Sequence, residues 1–296
     1  MTAKKTPKKL SQLSRGRPPT LRAGRPALSA KATRNLIRSH HRLLKARAQA
    51  LEAGDDDLVR KLDSQIQANG GLESYQLASK IGQSLERGGD TSKLLIEWIN
   101  STLRELKGTP FKLRVLEVGA LSTKNACSLN PFLDVTRIDL HSQEPGIQQQ
   151  DFMERPLPAS HEDQFHLISL SLVLNYVPDA IGRGEMLKRC VNFLTDVFPS
   201  GCPMTGFKPL LFLVLPAACV TNSRYLTEEK LRRIMSSIGF SLARSKTTSK
   251  LIYQLWEYSA TPDKMLFKKE VINPGRTRNN FAIVLRDSLS ASVSET

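Results

Sequence analysis

Apolar positions along the chain fall into two regimes. Up to about residue 107 they recur at helical spacing. Leu36, Ile37, Leu43, Leu44, Ala48 and Leu51 predict a helix that starts at Ser29, a residue type that caps helices. Asp55-Asp56-Asp57 opens a second helix with a stripe of Leu58, Leu62 and Ile66, and Gly70-Gly71 stops it. A third is expected over about 73–85. A fourth is capped by Thr91 and carries Leu94, Leu95, Trp98, Ile99, Leu103 and Leu106 on a wide apolar face.

From Leu113 onward the pattern changes to short, largely apolar extended runs separated by helical stretches. Runs at 115–118, 135–140, 165–170 and 210–215 read as buried strands, the last ended by Pro216. Helical spacing covers 184–198 and 227–238, with a short helical candidate at 124–129. Three further extended runs, 240–243, 251–258 and 281–285, have no pairing that the pattern fixes. Strands alternating with helices predict an α/β, Rossmann-like doubly wound sheet, mostly parallel. Ligands of such sheets bind beyond the carboxyl ends of the strands. The expected organisation is an arm at 1–28, a helical region at 29–107, a ligand-binding domain at 108–288 and a disordered tail at 289–296.

Charge sharpens that division. Fourteen of the 43 Lys and Arg lie in residues 1–50, where there is no Asp or Glu; the remaining 29 nearly balance all 28 acidic residues. The arm at 1–28 is rich in Pro, Gly, Ser and basic residues and is expected to be disordered. A basic arm suits a phosphate backbone. Its alternatives are a solvated tail without a partner and an Arg-rich mitochondrial transit segment; the Lys4-Lys5-Thr6-Pro7-Lys8-Lys9 cluster reads better as a nuclear or nucleolar address. No apolar run is long enough for a membrane span, and no secretory leader is read. Cys127, Cys190, Cys202 and Cys219 fit neither a zinc site nor a disulfide framework, and the five histidines lack metal-ligand spacing, so no metal is expected.

Candidate chemistry gathers at 113–152. Glu117-Val118-Gly119 ends the first strand in a glycine turn, where the missing Cβ lets a ligand approach. Asp139 ends the second strand twenty residues on, close to the roughly 20-residue gap between a nucleotide-binding turn and the acid that takes ribose hydroxyls. Asp151-Phe152 follows, with a carboxylate for an exocyclic amine and a ring to flank a base. Ser169, placed at the end of the next strand, can bond the adenine or sugar edge. One glycine stands where a pyrophosphate fingerprint has three. Glu117 would repel a pyrophosphate but suits an ammonium or sulfonium, which favours S-adenosylmethionine over a dinucleotide. Arg87, in the Arg87-Gly88-Gly89-Asp90 loop, can reach a carboxylate or phosphate, or can be an ordinary loop residue.

The Glu117–Gly119 turn, Asp139, Asp151-Phe152 and the run 169–178 together resemble a class I S-adenosylmethionine-dependent methyltransferase. The stretch 74–93, with Arg278-Asn279-Asn280-Phe281 near the end, resembles the fungal 25S rRNA adenine-N1 methyltransferase family over about residues 70–286. That resemblance implies a nucleolar enzyme of ribosome biogenesis, with large-subunit rRNA in a pre-ribosomal particle as partner and S-adenosylmethionine as cofactor, and a monomer is expected. Related adenine methyltransferases place a polar-Pro-Pro-aromatic motif after the fourth strand. Here Asn175-Tyr176-Val177-Pro178 matches it in part, so Asn175 and Tyr176 are the acceptor-pocket candidates. Their alternative is a capping Asn and a core Tyr. A relative acts as a cofactor sensor, so a non-catalytic binding protein is the second reading, and a methyltransferase with another substrate the third.

Overall fold

A computed structural model describes residues 30–71, 74, 89–142, 144–259 and 265–286. The arm at 1–28, nearly all of the third predicted helix, Arg87 and the tail at 289–296 lie outside the described residues. Seven strands form one sheet: β1 (Leu113–Val118), β2 (Leu133–Asp139), β3 (Gln148–Gln149), β4 (Leu167–Ser171), β5 (Leu210–Pro216), β6 (Phe240–Thr247) and β7 (Leu251–Tyr258). Their order is β3-β2-β1-β4-β5-β7-β6. The first five run parallel, and β7 is antiparallel to both of its neighbours. The first two of the three runs that sequence left unpaired, 240–243 and 251–258, are therefore a hairpin added at one edge.

Solid apolar strands follow from burial on both faces. On one face Leu116, Ile168, Leu211 and Leu213 pack with Met186, Leu187, Leu231 and Ile234 of two helices. These are α5 (Ala180–Asn192) and α7 (Glu228–Ser237), with the single turn α6 (Ala218–Thr221) between them. On the other face Val115, Leu167, Phe212 and Val214 pack with Leu95, Ile99, Leu103 and Leu106. The predicted fourth helix supplies those residues but breaks at Ile99, giving α3 (Ser92–Trp98) and α4 (Asn100–Glu105).

Further N-terminal, α1 (Ala30–Glu52) and α2 (Asp56–Ala68) close on each other around Leu43, Ala50, Val59, Leu62 and Ile66. Asp55 caps α2 by accepting from the Leu58 N–H at 3.0 Å. Val59, rather than the half-exposed Leu58, carries the stripe. Arg47 and Asp63 join the pair by an ion pair of 2.5 Å.

Three other expectations shift. Residues 124–129 are turns, not helix. The helix predicted at 184–198 starts earlier, where the Asp179 side chain accepts from the Gly182 N–H at 2.7 Å, and stops at Asn192. The run 281–285 joins no strand of the sheet; it is a strap laid over the start of α5. Val284 N–H donates to Ala180 O at 2.8 Å, and a Cβ on Gly184 would sit 1.9 Å from Val284 O, so only glycine lets the strap approach. Arg183 fastens it by donating to Ala282 O at 2.8 Å and Pro178 O at 3.3 Å under the Phe281 ring. The strap is thereby held against the loop after β4, at the carboxyl edge of the sheet.

Candidate active site

Two cavities open at that carboxyl edge and share Val118, Gly119, Leu121 and Ser171. The first, about 550 Å³, is walled by Gly89, Asp90, Thr91, Glu117, Asn125 and Glu144. The second, about 350 Å³, is walled by Asp139, Gln150, Asp151, Phe152, Val173 and Tyr176, with His40 and Leu44 of α1. Between them stands the turn after β1. Gly119 has φ +73°, in the left-handed region, and its N–H donates to Ile138 O at 2.8 Å. A Cβ there would lie 2.6 Å from Val173 Cγ2. Two constraints thus require glycine: backbone angle and the closeness of the loop after β4.

Glu117 is the electrostatic centre of the first cavity. Its Oε1 accepts from Asn125 Nδ2 at 2.6 Å, while the buried Oε2 has no partner among the described residues. Burial pushes the carboxyl pKa up; Asn125 and the charge of Arg137 pull it back, and Asp90 pushes it up again. A buried carboxylate oxygen without a donor is costly unless a ligand supplies one. Asp90 ties the start of α3 to the turn after β1, accepting from Ser92 N–H, Ser92 Oγ and Ala126 N–H at 2.9, 2.6 and 2.6 Å. Across the opening, the Thr91 and Ser171 hydroxyls meet at 2.8 Å and join the helical region to the end of β4. Thr91 therefore spends its side chain on the site and makes no cap bond to α3.

The second cavity carries two carboxylates and a buried ring. Asp139 accepts from the His141 N–H at 2.8 Å, and Asp151 from the Met153 N–H at 2.7 Å, which fixes both carboxylates at their turns. The Phe152 ring is buried against Phe193 at 5.4 Å between centroids. Where β4 ends, Leu172 takes φ 58° without being glycine, and its N–H is held by Val214 O at 2.9 Å. Such strain is kept where surrounding contacts impose it, and it is common at functional turns.

Sequence reasoning thus named eight residues that the structure describes in this region. Glu117, Gly119, Asp139, Asp151, Phe152 and Tyr176 line the paired cavities. Ser169 does not; it sits inside β4, paired with Glu117 of β1 and Phe212 of β5 and 5% exposed. Ser171, two residues later on the same face, is the hydroxyl at the cavity. The strand runs one turn of the pleat further than the apolar run, which ends at Leu170, suggested. Asn175 is also absent from both walls, and its Oδ1 is buried with no partner among the described residues. Tyr176 shares a cavity with Asp139 and Asp151 rather than with Glu117. Asp90, Thr91, Asn125 and Ser171 were not assigned to the site, because single polar residues in loops and at strand ends carry no periodic signal.

The arrangement fits one cofactor type: a cation beside Glu117, a bare backbone at Gly119, and an acid and a ring at 139–152 for a nucleoside. Sheet order, glycine turn and carboxylates define the chain as a class I S-adenosylmethionine-dependent methyltransferase. The family described as "25S rRNA (adenine(2142)-N(1))-methyltransferase, Bmt2" matches residues 60–283. The 25S rRNA adenine-N(1) methyltransferase of Schizosaccharomyces pombe is 40% identical over 258 residues, 84% of this chain and 89% of its own. The 25S rRNA (adenine(2142)-N(1))-methyltransferase of Saccharomyces cerevisiae is 42% identical over 254 residues, 83% and 70% of the two chains. The chain belongs to this 25S rRNA adenine-N1 methyltransferase family. Among solved structures, an O-methyltransferase of neocarzinostatin biosynthesis with S-adenosylmethionine aligns with a TM-score of 0.46 at 14% identity, covering 76% of this chain and 70% of that one. The N-methyltransferase NodS with S-adenosyl-L-homocysteine aligns with a TM-score of 0.38 at 14% identity, covering 60% and 92%.

Placement of Tyr176 in one cavity with Asp139 and Asp151 gives a testable outcome. Tyr176→Ala is expected to weaken S-adenosylmethionine binding by roughly tenfold, about the loss of one stacked ring. Calorimetry checks it. Unchanged affinity with lost methyl transfer would move Tyr176 to the acceptor side.

Proposed function

We propose that this protein transfers the methyl group of S-adenosylmethionine to N1 of an adenine in large-subunit rRNA, within a pre-ribosomal particle in the nucleolus, and that it acts as a monomer. Membership of the family supports the acceptor. The observation that carries the donor is Glu117, which lines the cavity beside Gly119 and whose buried Oε2 has no partner among the described residues. When bound, S-adenosylmethionine supplies an electrophilic methyl carbon on a cationic sulfur. Glu117 would hold its cationic end, Gly119 would let it pass, and Asp139, Asp151 and Phe152 would take the nucleoside.

Adenine N1 already has a lone pair, so no proton must be removed to make it a nucleophile. One nitrogen–carbon bond forms as one sulfur–carbon bond breaks. The bonding pair stays on sulfur, and the positive charge passes to the adenine ring. What the protein contributes is alignment, the two reacting atoms held about 3–3.5 Å apart and in line with the leaving sulfur. Because N1 lies on the Watson–Crick edge, the target must be unpaired or turned out of its helix. The Lys4–Lys9 cluster supports the nucleolar reading.

Purified protein, labelled S-adenosylmethionine and 25S rRNA lacking the modification should yield 1-methyladenosine on nucleoside digestion. Primer extension should stop at one adenine, since a methyl on N1 blocks pairing. Cofactor binding with no transfer to any rRNA would instead support the sensor reading, and label in another nucleoside would change the acceptor.

A further inference from the structure

The Arg278-Asn279-Asn280-Phe281 motif is not consumed by the cofactor cavities. Asn279 Nδ2 donates to Ala218 O at 2.6 Å, and its backbone joins Asn222 and Arg224 at 2.9 and 3.0 Å. Arg224 spends its guanidinium on Gly275 O at 2.9 Å, Asn280 Oδ1 at 2.5 Å and Arg276 O at 3.3 Å. This lattice holds the approach to the strap, 275–280, on the loop after β5. The strap's other end is fixed by Arg183 to Pro178, in the loop that also carries Tyr176. Both loops are at the carboxyl edge, beside the mouth of the site.

The β6–β7 hairpin brings a second element to that edge. Antiparallel pairing of β7 sets Leu251 opposite Pro216, and Ala217 N–H donates to Lys250 O at 2.8 Å. Lys246 and Lys250 are exposed there, Arg276 is exposed and Arg278 is half-buried. None of the four has an ion-pair partner among the described residues. No Asp or Glu occurs in 240–256 or in 271–286. Lysine on an edge strand also guards against sheet pairing, which would account for Lys246. It does not account for Lys250, Arg276 and Arg278, which lie off the strands.

We propose that Lys246, Lys250, Arg276 and Arg278 form a phosphate-binding ledge that grips the RNA backbone flanking the target adenine. The proposal rests on RNA being the substrate. Four cations without an ion-pair partner among the described residues, one at the edge strand and three on the loops held beside it, match a polyanion, and they sit where a strand must pass if its base enters at the loops after β4 and β5. Arg183 and Arg224 serve as the mounting: Arg183 donates through Nη1 and Nη2, and Arg224 through Nε, Nη1 and Nη2, to protein acceptors.

The test is fluorescence anisotropy of full-length protein on a labelled, unstructured, adenine-containing RNA oligonucleotide across a salt series. Three proteins are compared with wild type: the quadruple Gln variant of the ledge, the triple K250Q/R276Q/R278Q that leaves the edge strand intact, and K107Q/K112Q on the opposite, amino edge. The basic arm is the same in all, so differences in salt slope isolate the ledge. The quadruple variant should bind on the order of 10- to 100-fold more weakly with a slope lower by about 3, each lost phosphate contact contributing about 0.7–0.9. The triple variant should lose about three quarters of that slope, and K107Q/K112Q none. S-adenosylmethionine affinity should stay unchanged throughout. Ledge variants that bind like wild type, or an equal loss from the amino-edge variant, would overturn the ledge and leave the RNA reading standing. Wild type that binds no RNA would overturn the substrate reading itself, and the ledge with it.

Discussion

Glu117→Gln is expected to weaken S-adenosylmethionine binding on the order of 100-fold and to leave the cofactor-free protein at least as heat-resistant as wild type. Both effects have one cause. The Glu117 carboxylate is buried with Oε2 unpartnered among the described residues, so its charge is a load on the empty site and an asset only to a cationic ligand. An amide of the same shape can still accept from Asn125 through its oxygen, and it carries no charge to desolvate. A charge-assisted hydrogen bond to a ligand ammonium contributes roughly 1.5–3 kcal/mol, which the amide forfeits.

The pH dependence has a fixed sign. Burial raises the folded-state pKa of Glu117 above its unfolded value. The protonated form therefore favours the fold. That contribution is complete below the unfolded pKa, roughly 4.3 for a glutamate, and is lost as pH rises through the folded value. At neutral pH the Gln variant should melt at or above wild type, and the difference should shrink as pH falls into the carboxylate range. Wild-type cofactor affinity should decline as pH drops through the raised pKa, with proton release on binding in that window. Differential scanning fluorimetry with and without cofactor, paired with calorimetry at several pH values, reads all of this. A Gln variant with wild-type affinity would remove Glu117 from the cofactor's cationic end.

Legibility in the sequence followed signal type. A continuous apolar run announced β5, and β1 and β4 showed as apolar runs broken only by Arg114, Glu117, Ser169 and Ser171, because a strand buried on both faces has few polar positions to confuse it. Strand β2, with Asp134, Thr136, Arg137 and Asp139, was read from its extended 135–140 pattern instead. The acid and glycine at strand ends were readable for the same reason: Glu117 and Asp139 interrupt or end such runs. Ser169 was misplaced because Ser171 is polar too, and pattern alone sets a strand end only to within a couple of residues. The two halves of α3–α4 read as one helix because the apolar spacing continues through Ile99 unbroken. Thr91 looked like a cap because a cap and a cross-site hydroxyl need the same residue type; only the distance to Ser171 separates them. The strap at 281–285 looked like a strand because it is extended and buried. Its partners, Ala180, Arg183 and Gly184, lie about a hundred residues away in sequence, and no local pattern encodes that meeting.

Gly119→Ala is the second large effect, and a companion change separates its two causes. The added Cβ would stand 2.6 Å from Val173 Cγ2, and the residue would have to keep φ +73°. Holding a residue with a Cβ in the left-handed region costs roughly 1–2 kcal/mol. Relieving the contact means moving Val173, which is itself a wall of the second cavity. The single variant should therefore lose stability by about the strain term and lose cofactor affinity by more, on the order of 100-fold, because strain and wall displacement both act on the site. Val173→Ala in the same chain removes Cγ2 and leaves the remaining Cβ at 4.0 Å, ordinary contact. In the double variant the steric part is relieved and the backbone part is not, so affinity should recover in part while the melting temperature stays below that of Val173→Ala alone. Full recovery would mean that glycine serves packing against the loop after β4 rather than backbone angle. No recovery would mean the reverse: the cofactor meets the turn at its backbone, and Val173 is only a neighbour. Gly119→Ala with wild-type affinity in calorimetry would dissolve the cradle between the two cavities altogether.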